Sequence, residues 1–170
     1  LLGMLGVFRR WMPQRKPVIL FDLDGTLLNT APAILASYRM LFKKYRSEEE
    51  FTPEIQMEVQ GPPLLAMFEK YFPQQDPQQL VREYREHNSA VHAELVKPVE
   101  GAKQLVSDLK EQGYKLGIVS TKAREMILLG LKLNEMDSFF DVIVGQDEVK
   151  KGKPDPEGIL TACRLLKEGH

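Results

Sequence analysis

The sequence predicts an α/β protein with a doubly wound parallel sheet and an inserted helical lobe. Three short apolar runs, at residues 18–21, 115–119 and 141–144, are typical of parallel strands covered on both faces. Segments with apolar residues at helical spacing precede the second and third runs. Between the first two runs lies a helical stretch of roughly sixty-odd residues, far longer than the ~2–6 residue connections usual in such folds.

Composition and charge limit the class of protein. The chain has 170 residues, 43% hydrophobic and 28% charged, as expected for one ordinary domain or a core with a small inserted lobe. A formal net charge of -1 provides no field that would attract nucleic acid or anionic lipid. The single cysteine, Cys163, rules out an internal disulfide and fits a reducing compartment. Its neighbours Ile159, Leu160 and Leu166 predict that it lies on a buried helix face.

Residues 1–16 are expected to form an N-terminal extension on the surface of the domain. Their apolar run is too short to span a bilayer, and no charged region precedes it as in a secretory signal. The basic residues that follow the apolar ones leave an interfacial anchor open as an alternative. Because no longer apolar run occurs, we expect a cytoplasmic protein without a membrane span.

The first strand is followed by the helical lobe. Apolar residues recur at helical spacing between Ile34 and Tyr45, and further helices are predicted at residues 63–71 and 78–95. The segment "FPQQDP" separates the last two of these helices. We therefore assign residues 31–96 to an inserted helical cap.

The remaining residues, 17–30 and 97–170, form the predicted core. Helical patterns at residues 105–109 and 126–131 alternate with the second and third strands, and Gly113 ends the first of these helices. Alternation of strand and helix predicts a sheet with helices on both faces.

Polar residues follow each predicted strand at its carboxyl end, where open α/β sheets bind ligands. Asp22 ends the first strand, "STK" at residues 120–122 ends the second, and "KKGKPDP", which contains Lys153, follows the third. The sequence therefore predicts that acids, hydroxyl groups and lysines meet at one edge of the sheet.

The two acids after the first strand, Asp22 and Asp24, predict a magnesium site. Asp22 and Asp24 are two positions apart, and Gly25 directly after them allows a sharp turn, so both acids can face one cavity. Adjacent carboxylates are costly unless a cation joins them, and oxygen ligands of this kind suit Mg²⁺. The alternative to a metal site is an ordinary Asp-Gly turn in which both carboxylates are solvated.

A phosphate group fits the same edge of the sheet. Ser120 or Thr121 can donate hydrogen bonds to phosphate oxygens, although the same residues would also serve as an ordinary helix cap. Lys153 would neutralise the charge of phosphate and acid. An Asp22 carboxylate held in this way can attack phosphorus, while Asp24 protonates the leaving oxygen and later deprotonates a water.

Three segments carry a resemblance to a known family. "FDLDGTL", "GIVST" and "KKGKPDP" resemble, in order and spacing, the first three motifs of the haloacid dehalogenase superfamily. Residues 116–157 resemble its bacterial inorganic pyrophosphatase and phosphoglycolate phosphatase branch. The resemblance implies a Rossmann-like core with a mobile cap between the first two motifs.

The resemblance also implies roles for individual residues. The catalytic residues would be Asp22 as nucleophile, Asp24 as general acid and base, and Lys153 as stabilising cation. Magnesium would be held by the Asp22 carboxylate and the Asp24 backbone carbonyl. The substrate-binding residues would be Gly25, Thr26, Gly61, Ser120 and Thr121. An acid at Asp24 favours phosphoryl transfer over dehalogenation, because halide leaves without a proton.

The family has a fourth motif, a pair of acids at the end of a further strand. The sequence ends at His170 before any such strand, so the core is expected to be truncated at its C-terminus. We expect a further segment of roughly 40–60 residues, at ~30 residues per βαβ unit. Without it the first strand would lie at an open, apolar edge of the sheet.

These observations predict a magnesium-dependent phosphohydrolase that forms an aspartyl-phosphate. Its substrate would be pyrophosphate or a small phosphate monoester such as phosphoglycolate. Alternatives are a phosphomutase acting on a sugar phosphate and a non-catalytic, truncated binding protein. Other polar residues are assigned to the surface: Lys150 and Lys151 as solvated charges, and His87 and His92 as surface residues of the cap. The two histidines, about 140° apart on a helix, would be poor joint metal ligands.

Overall fold

A computed structural model describes residues 17–168, and residues 1–16, including the predicted N-terminal extension, lie outside the described part. The strands of residues 17–168 are β1 (Val18–Phe21), β2 (Leu28–Asn29), β3 (Lys97–Pro98), β4 (Lys115–Val119) and β5 (Val142–Val144). The helices of the same residues are α1 (Ala31–Tyr45), α2 (Pro53–Glu58), α3 (Leu64–Tyr71), α4 (Pro77–Leu95), α5 (Ala102–Glu111), α6 (Arg124–Leu133) and α7 (Glu157–Glu168). After β1 and β2 the chain forms the four helices α1–α4, and from β3 onward strands and helices alternate.

The central sheet has three parallel strands in the order β1-β4-β5. The prediction of an α/β fold with a parallel sheet is confirmed. The third strand begins at Val142, one residue later than predicted, and the Asp141 carboxylate accepts the backbone N–H of Leu116 at 2.8 Å. Among residues 17–168 no strand pairs with the outer side of β1, so β1 lies at an edge of the sheet.

Helices cover both faces of the central strand. Ile118 is buried in one hydrophobic cluster together with Ile127 and Leu131 of α6. Its neighbour Val119 is buried in a second cluster with Ala162 of α7. Successive side chains of a strand point to opposite faces, so a strand covered on both sides is apolar throughout. This explains the continuous apolar run that predicted β4.

Helices α1–α4 form a lobe with an aromatic core of its own. Tyr38 and Phe42 of α1 are fully buried, and Phe42 stacks on Phe51 with ring centroids 4.9 Å apart. Phe68 of α3 and Tyr84 of α4 lie with ring centroids 6.0 Å apart. Because aromatic side chains bury large apolar areas, this cluster gives the lobe a hydrophobic core separate from that of the sheet.

The lobe joins the core through a short antiparallel pair that the sequence did not predict. Leu28 of β2 lies opposite Pro98 of β3, at the points where the chain leaves and returns. Each strand has two residues, which is too short to show a period of two. Helix α2 was also not predicted, and its first turn is capped by the Thr52 hydroxyl, which accepts the Ile55 N–H at 3.5 Å.

The predicted burial of Cys163 and its neighbours is largely wrong. Ile159 and Leu160 are 50% and 64% exposed, and Cys163 is half-buried. The buried stripe of α7 instead follows positions i, i+4 and i+8: Gly158, Ala162 and Leu166. A β-carbon at Gly158 would lie 2.8 Å from a methyl group of Val119, so the missing side chain lets α7 approach the sheet closely.

The prediction that His92 is a surface residue is also wrong. Helix α4 continues from the lobe onto the core, so His92 packs beside Gly130 of α6 and is buried. Its Nδ1 lies 3.1 Å from Oδ1 of Asn88. His87 is half-buried, with Nδ1 3.2 Å from the Ser37 hydroxyl. None of the helices in residues 17–168, long α4 included, combines the length and hydrophobicity needed to cross a membrane.

The buried His92 should make stability depend on pH. Its pKa is lowered from 6.5 to about 4, chiefly by burial and also by the charge of Lys122, whereas the charge of Asp24 acts in the opposite direction. The unfolded chain takes up a proton near pH 6.5 and the folded chain only near pH 4, so stability falls as the pH falls through this window. We expect His92 to contribute a loss on the order of 2 kcal/mol between pH 7 and pH 4.

Urea unfolding of the wild type and of His92→Gln at several pH values measures this contribution. The variant cannot take up the proton, so its free energy of unfolding should fall less steeply with decreasing pH. Identical pH dependence of the two proteins would contradict the prediction.

Candidate active site

The carboxyl ends of the strands meet at Asp22. This residue follows β1 directly, and Lys153 lies in the connection between β5 and α7. The Lys153 Nζ is 2.9 Å from Asp22 Oδ1, although 131 positions separate the two residues. Both side chains are about two-fifths exposed, 40% for Lys153 and 42% for Asp22, so the pair is open to solvent and to a ligand.

Asp24 lies deeper and has two partners. The Thr30 hydroxyl donates a hydrogen bond to Asp24 Oδ1 at 2.5 Å, and Lys122 Nζ is 2.8 Å from the same oxygen. Gly25 has φ +73, a left-handed conformation that favours glycine, and its N–H donates to the Leu28 carbonyl at 2.8 Å. The tight turn fixes the position of Asp24.

The sequence placed Lys122 at this edge of the sheet, but its ion pair with Asp24 and the role of Thr30 were not predicted. Thr30 directly precedes α1, and no local sequence pattern indicates that its hydroxyl group forms a hydrogen bond with Asp24. Lys122 stands directly after the two predicted hydroxyl residues, so its place at the end of β4 was the available signal. A buried carboxylate needs an opposite charge, which would have favoured Lys122.

Ser120 and Thr121 make contacts of different kinds. Ser120 is buried, and its Oγ accepts the backbone N–H of Lys122 at 3.1 Å, so it stabilises the turn before α6. The Thr121 hydroxyl donates to the carbonyl of Gly61 at 2.6 Å. Gly61 belongs to the helical lobe and has φ +126. This bond joins the lobe to the core beside the two acids.

A cavity of about 680 Å³ lies at this edge of the sheet, and we call it the rim cavity. Six of the predicted site residues line it: Asp22, Asp24, Gly25, Gly61, Thr121 and Lys153. Ser120 does not line it, since its side chain is buried below the turn. Thr26 does not line it either, and this residue is exposed in the turn after Asp24. The structure thus brings together most, but not all, of the predicted residues.

A second cavity of about 390 Å³ lies between the lobe and the core, and we call it the inner cavity. It shares Asp24, Ile34, Gly61 and Thr121 with the rim cavity, so the two adjoin. Asp24 therefore borders both spaces, whereas Asp22 lines only the rim cavity.

Few oxygen donors are available for a metal ion. Within the described part of the chain, no three His, Cys, Asp or Glu side chains lie close enough together to hold one. The predicted donors at the rim are the Asp22 carboxylate and the Asp24 backbone carbonyl, and this assignment stays a prediction. Magnesium keeps several waters and is usually bound by one or two carboxylates together with substrate phosphate. So small a donor set fits Mg²⁺ better than a metal that needs a complete protein cage.

Comparison with known proteins decides the family. The sequence profile described as haloacid dehalogenase-like hydrolase matches residues 19–168. The chain belongs to this family. The haloacid dehalogenase-like fold and an enzymatic hydrolase function, both predicted from the three motifs, are confirmed.

Individual members of the haloacid dehalogenase-like family are also similar. The chain is 44% identical over 148 residues to pyrophosphatase PpaX of Halalkalibacterium halodurans, covering 87% of this chain and 68% of that protein. It is 40% identical over 155 residues to pyrophosphatase PpaX of Listeria monocytogenes, covering 91% and 71%. A crystal structure from Bacteroides fragilis, assigned as a haloacid dehalogenase-like hydrolase, superposes with a TM-score of 0.78 at 29% identity, covering 89% and 73%.

The Thr121–Gly61 bond should hold the lobe against the core. In Thr121→Val the hydroxyl donor is lost, so the segment around Gly61 should open more often, by about fivefold for a bond of ~1 kcal/mol. Hydrogen exchange of the amides of residues 59–65 measures this opening. Thr26→Val is the matched control, because Thr26 is exposed and lines neither cavity. Equal exchange in both variants would show that the bond does not restrain the lobe.

Proposed function

We propose that the chain is a magnesium-dependent phosphohydrolase that forms an aspartyl-phosphate on Asp22. The observation that carries this proposal is the position of Asp22 at the end of β1, on the rim cavity, with Lys153 Nζ 2.9 Å from its Oδ1. A carboxylate beside an ammonium group can approach a phosphoryl group that is itself anionic, because the lysine offsets the repulsion.

In the first half of the reaction, an oxygen of Asp22 attacks phosphorus and the bond from phosphorus to the leaving oxygen breaks. Asp24 supplies the proton that the leaving oxygen takes up. Its position supports this role, since Asp24 borders both cavities and the Thr30 hydroxyl holds its carboxyl group in place. The products are the aspartyl-phosphate and the protonated leaving group.

In the second half, Asp24 accepts a proton from a water molecule, and the water oxygen attacks phosphorus. The bond from phosphorus to Asp22 breaks, so phosphate leaves and both acids return to their starting states. Lys153 stays beside the Asp22 carboxylate and stabilises the negative charge on the transferring group.

The Asp22 carboxylate and the Asp24 carbonyl would hold magnesium, which when bound neutralises charge on the phosphoryl oxygens. The substrate side of the proposal rests on the similar pyrophosphatases, whose names give pyrophosphate as what they act on. We propose pyrophosphate or a small phosphate monoester such as phosphoglycolate as the substrate of this chain.

Loss of the nucleophile should abolish turnover. An amide is a poor nucleophile, so we expect Asp22→Asn to lower kcat by about 1,000-fold or more. Phosphate release from pyrophosphate and phosphoglycolate by the full-length protein measures the effect. Asp137→Asn, an exposed acid outside both cavities, is the control and should keep wild-type activity. Full turnover by Asp22→Asn would refute the covalent mechanism.

Removal of divalent metal should stop the reaction. Protein dialysed against a chelator should release no phosphate, and addition of MgCl₂ should restore activity, because the repulsion between substrate and acids is then offset. The binding of Mg²⁺, measured by calorimetry, should weaken at least about tenfold in Asp22→Asn. Unchanged activity in metal-free protein would remove magnesium from the proposal.

A further inference from the structure

The inner cavity contains a polar face that the proposed chemistry at Asp22 does not use. One side of it is formed by α4, from which Tyr84, Arg85 and Asn88 line the cavity. The opposite side includes Lys122, already paired with Asp24, and Met126 of α6. A volume of about 390 Å³ suits a small organic group.

Arg85 is the unusual member of this face. Its Nε is buried and has no hydrogen-bond partner among the described residues. By contrast, Arg39, Arg46 and Arg124 each pair with a glutamate. Arg85 lines the inner cavity and makes no ion pair among residues 17–168, and an unpaired guanidinium at this place is costly unless an acceptor binds to it. The expected acceptor is an anionic group that enters the inner cavity.

Asn88 is a second donor, held in place by a buried network. Its Oδ1 lies 3.1 Å from Nδ1 of the buried His92, and its Nδ2 donates to the Ser37 hydroxyl at 3.4 Å. With the carbonyl oxygen engaged by His92, the group that remains for an acceptor in the inner cavity is the amide nitrogen, which carries a second N–H besides the one donated to Ser37. Asn88 and Arg85 are three positions apart on α4, so they lie on one face of the helix.

Asp24 connects this face to the reaction. It borders both cavities, so a phosphoryl group at Asp22 would place its leaving oxygen beside Asp24 and the rest of the leaving group in the inner cavity. We propose that Arg85, assisted by Asn88, is a specificity-determining residue that selects leaving groups carrying a second negative charge, a carboxylate or a phosphate. This inference rests on the proposed function and deepens it.

The apolar walls strengthen the selection. Ile34, Val81 and Met126 add apolar groups to the lining of the inner cavity, so the local dielectric constant is lower and an anion there is attracted to the guanidinium more strongly than in solvent. An uncharged leaving group of the same size would leave Arg85 without a partner. Discrimination should therefore appear as a difference between substrates that differ only in this charge.

Two substrates isolate the charge: phosphoglycolate and 2-hydroxyethyl phosphate, in which a hydroxymethyl group replaces the carboxylate. We expect Arg85→Gln to lower kcat/KM for phosphoglycolate about 10- to 100-fold, as for loss of a hydrogen bond to a charged group. For 2-hydroxyethyl phosphate the change should stay below about threefold, since an uncharged group makes no ion pair with Arg85. Arg85→Lys, which keeps the charge, should fall between wild type and Arg85→Gln with phosphoglycolate.

Arg82→Gln is the matched control. Arg82 is exposed on the same helix and lines neither cavity, so both substrates should be turned over as by the wild type. Pyrophosphate, whose leaving group is a phosphate, tests whether Arg85 recognises a phosphate in place of a carboxylate. A selective loss with Arg85→Gln for either anionic substrate supports the inference and identifies the anion. Equal losses for charged and uncharged substrates, or no loss with either anion, overturn it.

Binding separates this inference from the proposed mechanism. In the Asp22→Asn protein with Mg²⁺ present, calorimetry should show tighter binding of phosphoglycolate than of 2-hydroxyethyl phosphate, and adding Arg85→Gln should remove the preference. Absence of a preference in Asp22→Asn overturns the role of Arg85. Full turnover by Asp22→Asn, with the preference intact, overturns only the covalent mechanism.

Discussion

The compensation of two acids is the constraint on which the site depends. Asp22 and Asp24 lie two positions apart directly after β1, where their charges repel. Lys153 pairs with the first and Lys122 with the second, each at 2.8–2.9 Å. Since the two lysines follow different strands, the ion pairs also join the loops after β1, β4 and β5 into one surface. The same two ion pairs therefore offset the charges of the acids and hold the three loops of the site together.

The helical lobe adds a second side to this surface. Its aromatic core allows it to keep its own shape, while the Thr121–Gly61 bond and the buried His92 attach it to the core at two places. The result is a pair of adjoining cavities that share Asp24. A substrate could thus be divided between them, with attack on one side of the acid and departure on the other.

Sequence patterns predicted the parts that local chemistry controls. The three strands of the central sheet were found because a strand covered on both faces must be largely apolar, and β4 matches this rule from Leu116 to Val119. The face of α7 was misjudged because Ile159 and Leu160 are larger than Gly158 and Ala162, and size suggested burial. The sheet instead favours small residues, since they let the helix approach Val119 closely.

By itself, the sequence determined the fold class, the family and most of the residues that line the rim cavity, because each motif stands at the end of its own strand. Only the tertiary structure decided what surrounds them. It gave Asp24 its partners Thr30 and Lys122, buried His92 against Gly130, and placed Arg85 at a cavity with no hydrogen-bond partner for its Nε within residues 17–168. These contacts join residues far apart in the chain, and no local periodicity or motif records which side chains meet when helices pack against a sheet.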